Sequence, residues 1–279
     1  GAVGLDFKSP HTGLAAKKVW FFFDKTYVCL GTDISSRMKN QVLTTVNQCL
    51  LNGQVTVSDA DGIHPQERGS RMKKGVRWVV HDRVGYYFLN KENVILSNQR
   101  TEGSWKIANR QTTTPTDIIQ QDVFTLSVDH GSYPNNEGYA YMVVPSADPL
   151  SIEKQVEEEG VVVLANCPDV QAVRHDGLNM AYAVFYKGGT LRIHDKIVVE
   201  MDAPGMLMVK YNDAGEILTL GVSDPTRFMK KLHLSVNQRI VGTAQENIQT
   251  EWDGKQALTR ISVDLPQNEY AGKSVIYNK

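Results

Sequence analysis

The chain has 279 residues, of which 41% are hydrophobic and 22% charged, with 30 Lys plus Arg against 31 Asp plus Glu. That length suits one large or two medium domains with a proper core, and the composition is not that of a disordered segment. Charge balance excludes the basic excess typical of a nucleic-acid binder, although a local basic patch can still serve a polyanion. No apolar run approaches the roughly 20 residues of a membrane helix.

The first residues (2–7) read like the interior of a strand. No export leader is visible at Gly1, so any such segment is expected upstream. Residues 18–30 hold two aromatic and β-branched runs around Asp24, Lys25 and Thr26, a hairpin pattern. Residues 41–58 carry Asn52-Gly53 between two β runs, and the spacing predicts a second hairpin with a type I′ turn. Asp82-Arg83 is expected to join strands at 77–81 and 85–89. Further strands are predicted at 93–97, 104–108, 123–129 and 139–144, with 124–129 alternating apolar and polar as a half-wet strand does.

Residues 149–159 break the pattern. Asp148 resembles an N-cap, Pro149 suits the first helical position and Gly160 is a stop, which predicts one short helix with a solvated acidic end. Strands then resume at 161–165, 170–174, 181–186, 190–193, 197–201, 206–211, 217–222, 231–236, 257–263 and 274–277, with a turn at Asn212 to Gly215. So many short strands indicate an all-β fold of antiparallel β-sandwiches with one short helix between them. The boundary is expected near the helix, giving domains 1–160 and 161–279.

Chemistry is sparse. Cys29, Cys49 and Cys167 are odd in number and widely spaced, so they frame neither disulfides nor a zinc site; Cys29 and Cys49 are expected as small core residues. Asp59-Ala60-Asp61-Gly62 resembles the start of a calcium loop, but the twelfth position is Ser70 where an acidic ligand is needed. No pair among His11, His64, His81, His130, His175, His194 and His233 has metal-ligand spacing on one element, and each is expected to be a structural or surface residue. His81 and Asp82 should not form a dyad, because neighbours on a strand point to opposite faces. Nucleophile elbows, phosphate loops and dinucleotide fingerprints are all missing. Trp20 and Trp78 lie in apolar runs and are expected in the core; Trp105 and Trp252 have polar neighbours and are the candidates for stacking on sugar rings. No catalytic residue, metal site or cofactor is assigned.

Residues 17–24 (Lys-Lys-Val-Trp-Phe-Phe-Phe-Asp) followed by Val28, Cys29, Leu30 and Gly31 resemble the central β domain of polysaccharide lyase family 8, which holds chondroitin AC lyases and hyaluronate lyases. The resemblance continues through 44–48, 51–53, 81–88, 103–109, 122–124, 129–131 and 139–141. In the second half it covers 163–166, 171–173, Asp224-Pro225, Leu265-Pro266 and 270–272. Single motifs are weak, but their order and spacing span nearly the whole chain and are closest to the chondroitin AC branch.

The resemblance implies the later strands of a supersandwich followed by a small C-terminal β-sandwich. It also implies a parent enzyme, secreted or periplasmic, that cleaves uronic-acid-containing glycosaminoglycans by β-elimination. In the family, an α/α toroid supplies the catalytic Asn, His, Tyr and Arg, with a Glu early in the β domain. These precede Gly1 in family order, as does the family's calcium-binding acidic cluster, so none is carried onto this sequence. The expected role is a non-catalytic β portion that buttresses the toroid, its partners being that toroid and the polysaccharide. The alternative is a stand-alone carbohydrate-binding module.

Overall fold

The computed structural model of the protein describes residues 1–240 and 246–279. The first half contains β1 (Ala2–Lys8), β2 (Ala15–Phe22), β3 (Tyr27–Ser35), β4 (Gln41–Leu50), β5 (Val55–Asp59), β6 (Gly62–Pro65), β7 (Ser70–His81), β8 (Val84–Gly103), the one-turn helix α1 (Trp105–Ala108), β9 (Ile119–Ser132) and β10 (Glu137–Pro145). All pair antiparallel in one ten-stranded sheet, ordered β1-β2-β3-β10-β8-β7-β5-β6, with β4 and β9 added on β8. The sheet doubles back because β8 is 20 residues long. Its first part pairs with β10, its second with β9.

The doubled sheet encloses one core. Alternation sends Tyr86 and Phe88, Tyr139, Tyr141 and Val143 inward against Val94, Leu96, Phe124, Leu126 and Val128. The intervening residues of the same strands, including Val28, Leu30, Trp78, Met142 and Val144, form a second cluster on the opposite face. These strands are therefore buried on both sides, which is why 139–144 reads as an unbroken apolar run.

The helix α2 (Ile152–Glu159) seals that second face. Ile152 is fully buried, and a β-carbon on Gly85 would lie 2.5 Å from its Cδ1, so only glycine admits the helix so closely. The indole of Trp78 donates to Glu153 of α2 (3.2 Å). Gly160 ends the helix in the left-handed region at φ 60°, as the sequence predicts.

The second half contains β11 (Val161–Asn166), β12 (Val170–His175), β13 (Met180–Phe185), β14 (Gly189–His194), β15 (Ile197–Met201), β16 (Gly205–Tyr211), β17 (Ile217–Ser223), β18 (Lys231–Val236), β19 (Ile248–Asp253), β20 (Leu258–Asp264) and β21 (Val275–Asn278). Two antiparallel sheets, β11-β12-β13-β16-β17-β21 and β14-β15-β18-β20-β19, face each other across a core rich in Leu, Ile and Val. The outer face of the six-stranded sheet contributes Val173 and Val184 to the Trp78 cluster, so that cluster joins the two halves.

A polar chain runs along the same seam. Asn166 donates to the carbonyls of Gly31 (3.0 Å) and Tyr139 (3.1 Å), Gln171 donates to Asn166 (2.8 Å), and Tyr186 donates to Gln171 (2.8 Å). Lys17 lies over the Tyr186 ring and donates to the carbonyl of Pro168. Every amide in this chain has a partner, as burial requires.

The all-β architecture with its inserted helix agrees with the sequence, and several local expectations are corrected. Asn52-Gly53 is not a hairpin: β4 pairs with β9 and β5 with β6 and β7. Gly53 has φ +71°, but Asn52 is outside the left-handed region a type I′ turn demands, because its backbone and side chain are held by His81 (3.0 Å) and Asp82 (2.8 Å). The true tight turn is Asp82-Arg83, both at positive φ, linking His81 to Val84. Segments 85–89 and 93–97 belong to one strand, β8. Residues 104–108 form α1 rather than a strand, since Ser104 Oγ caps the Lys106 amide where the chain must reverse. Trp20 is half-buried against the first core, whereas Trp78 is fully buried as expected. Strands β6 and β19 carry no clear pattern and are additional.

Candidate functional site

The buried histidines of the first half are held in structural contacts. His81 is buried and accepts from the Asn52 amide, stacks on Phe124 (4.3 Å between rings) and sits 3.7 Å from Cys49 Sγ. Burial lowers its pKa, against the pull of Asp82. His130 bonds Thr44 Oγ1 (2.9 Å), and burial with the nearby Lys18 pushes its pKa down to about 4. The Tyr86 hydroxyl, pushed up to about 12 by burial, accepts from Asn47 (2.5 Å). His81 and Asp82 share no hydrogen bond; each turns to Asn52 instead.

The Asp59 turn is closed to a cation. Its carboxylate bonds His64 (3.1 Å), Lys73 (3.0 Å) and the Asp61 amide (3.0 Å). Burial pushes its pKa up, but the Lys73 and His64 bonds outweigh this and hold it below the usual range. Cys29 is buried and Cys49 half-buried, and with Cys167 all three are free thiols.

Two surfaces stand out among the described residues. One is an arm. Beyond Val123 the ladder of β8 and β9 has no third strand, and the pairs Arg100 with Asp122 through Gly103 with Ile119 project as a two-stranded ribbon. Four pairs reach about 14 Å. At the tip, α1 presents Trp105 at 61% exposure next to exposed Ile107. The tip is fixed by the Ser104 cap, by Lys106 Nζ on the Gln111 carbonyl (2.7 Å) and by the Asn109 side chain on the Gln111 amide (3.1 Å). Arg68 braces its base through Asp122 (2.7 Å). The tip segment thus carries an exposed aromatic, Trp105, and two basic residues, Lys106 and Arg110, close to it in the chain.

The other surface is a trough of about 730 Å³ on the outer face of the five-stranded sheet. Register aligns its side chains in rows across the strands. Glu200 lies opposite Ser235, Ser235 opposite Arg260 and Arg260 opposite Glu251. A second row runs from Asp202 beside His233 to Ser262 and Gln249. Trp252 sits on the edge strand β19 opposite Thr259, which is fully buried, so alternation puts it on the inner side of the sheet, where it stays exposed at 38%. Trp105 and Trp252 thus lie on different sheets and share no surface row. Sequence reading singled out neither row, because a period of two identifies a face but not its neighbouring strands.

Comparison with known proteins decides the family. The model of the polysaccharide lyase family 8 super-sandwich domain matches residues 1–156, and that of the family's C-terminal beta-sandwich domain matches residues 162–233. The chain belongs to polysaccharide lyase family 8. It is 35% identical over 274 residues to a chondroitinase-AC of Pedobacter heparinus, covering 98% of this chain and 36% of that protein. A xanthan lyase of a Bacillus species is 27% identical over 81% of this chain and 25% of its own length. A hyaluronate lyase of Thermasporomyces composti is 28% identical over 97% of this chain and 34% of its own. A solved chondroitinase AC lyase, studied as enzyme–oligosaccharide complexes, superposes with a TM-score of 0.83 at 34% identity, over 99% of this chain and 38% of that one. The chain therefore spans between 25% and 38% of the length of these relatives and is the family's β-sandwich portion.

Proposed function

We propose that these residues are the non-catalytic β scaffold of a secreted or periplasmic lyase that eliminates uronic-acid-containing glycosaminoglycans such as chondroitin sulfate and hyaluronan. The observation that carries this reading is the collinear likeness to a chondroitinase-AC across both halves of the chain. The β-elimination needs a base for the proton beside the uronate carboxylate, donors to neutralise that carboxylate, and an acid for the leaving oxygen. The buried histidines and tyrosines of this chain are engaged in its own packing, which supports placing those roles on a helical toroid outside these 279 residues. The division between halves falls near residue 160, and the shared Trp78 cluster supports their acting as one buttress. Trp105 on its arm is the residue we assign to polysaccharide contact, since its exposed indole sits at the tip in a segment that also carries Lys106 and Arg110, residue types suited to a sulfated or carboxylated sugar. Trp252, exposed on the edge strand β19, is the second such residue.

The test is release of unsaturated uronate from chondroitin sulfate and hyaluronan. The protein joining these residues to a toroid is expected to turn over at least one polymer, and the 279 residues alone neither. Turnover by the 279 residues would remove the scaffold role; no turnover of either polymer by the toroid-bearing protein would remove the substrate assignment.

A further inference from the structure

We propose that the trough on the outer face of β14-β15-β18-β20-β19 is a binding site for an uncharged, hydroxyl-rich saccharide. Register sets the side chains of the trough. Strands about 4.8 Å apart hold two parallel rows of polar side chains, from Glu200 to Glu251 and from Asp202 to Gln249. In the two central strands the serines lie on one diagonal, Ser235 on β18 and Ser262 on β20, and the long side chains His233 and Arg260 on the other. Arg260 itself lines the trough. Its guanidinium turns toward the β19–β20 turn and donates to Asp253 (3.2 Å) and Gln256 (3.0 Å), away from its cross-strand neighbour Glu251. The small serines are left as the floor, with Glu200, Glu251 and Gln249 as walls.

Chemistry then selects the ligand. Among the described residues, the side chains of Glu200, His233, Ser235, Gln249, Glu251 and Ser262 take part in no hydrogen bond or ion pair within the protein, so their capacity is free for a ligand. Carboxylates accept, the glutamine amide donates and accepts, and the serine hydroxyls do both, which matches a sugar whose every hydroxyl is donor and acceptor. The volume lies within the range of small-ligand sites. The sign of the charge argues against a polyanion: Glu200, Asp202 and Glu251 face the trough, while Arg260 is already committed to Asp253. Like charge across a contact excludes wrong partners by repulsion. The trough thus rejects the sulfated or uronate sugars that the Trp105 arm suits. This inference does not rest on the lyase reading, because it is read by binding to the 279 residues and not by turnover.

The experiment titrates the isotope-labelled 279-residue chain, followed by amide NMR, with maltohexaose, cellohexaose and chitohexaose, and with a chondroitin sulfate hexasaccharide as the anionic comparison. At least one neutral probe is expected to shift the amides of 233–235, 249–251 and 260–262, saturating on the order of millimolar. Ser235→Gln and Ser262→Gln fill the floor and are expected to weaken that binding by roughly tenfold; the same spectra report that each variant is folded. The sulfated probe is expected to bind at least about tenfold more weakly. The proposal is overturned if no neutral probe shifts these amides, if the floor-filling variants bind unchanged, or if the sulfated hexasaccharide binds as tightly as the neutral ones.

Discussion

Nε2 of His175, at the end of β12, lies 2.7 Å from a carboxylate oxygen of Glu159, the last residue of α2. The same oxygen accepts from Thr26 in the β2–β3 turn (3.3 Å), and Phe23 packs on the imidazole (4.8 Å between centres). One carboxylate therefore ties the doubled sheet, the helix and the small sandwich together. The other imidazole nitrogen, Nδ1, is buried without a partner, so the ring depends on this single bond.

Glu159→Ala is accordingly expected to destabilise the protein by about 2–3 kcal/mol, because it strands a buried imidazole as well as removing a charged acceptor. Glu159→Gln keeps an acceptor and should cost less. Urea unfolding of the two variants beside the parent measures both. Equal midpoints for all three would show that the contact carries no stability.

Gly31 allows Tyr139 to lie flat on β3. A β-carbon there would sit 2.1 Å from the tyrosine ring, which is itself buried among Cys29 and Tyr141. Gly31→Ala should therefore cost about 3 kcal/mol through overpacking. Gly103→Ala, on the arm with open space around it, should stay within about 0.5 kcal/mol. Thermal unfolding of the pair distinguishes local crowding from a general effect of replacing glycine.

Glu92 is half-buried on β8, and burial, helped by Glu137, pushes its pKa up to about 7 against a bond from the Ala140 amide. Its ordinary value is 4.5, so the folded state holds a proton that the unfolded chain releases. Stability from this group is complete below pH 4.5 and declines as pH rises to about 7. After allowance for partial solvation the loss is about 1–2 kcal/mol. Glu92→Gln should match the parent at pH 4 and exceed it at pH 8 by about that amount. Parallel denaturation curves at the two pH values check the sign.

Trp105 touches little of its own protein, so Trp105→Ala should leave unfolding unchanged within about 0.5 kcal/mol. Loss of its indole from the segment that carries Lys106 and Arg110 should weaken binding of chondroitin sulfate oligosaccharides to the toroid-bearing protein by roughly fivefold. Calorimetry on both proteins decides; unchanged affinity would return the arm to a purely structural role.

The sequence by itself determined the local facts. Alternation marked most of the strands, residues 149–160 marked the helix and its stop, although the helix starts at Ile152 with Ser151 as its N-cap and not at Pro149 after Asp148, Asp82-Arg83 marked a tight turn, and the ordered motifs from Lys17 to Gly272 marked the family. These depend on side-chain period, turn chemistry and order along the chain, all of which are local. Only the tertiary structure decided that β4 leaves Asn52-Gly53 to pair with β9, that 84–103 is one strand crossing between layers, and that 104–108 coils at the tip of an arm. It alone put Glu200, Ser235, Arg260 and Glu251 in one row and set Trp252 on the other side of that sheet, opposite Thr259. Pairing between distant strands is set by which apolar faces find each other, and a one-residue change of register would move every one of these side chains to the other face.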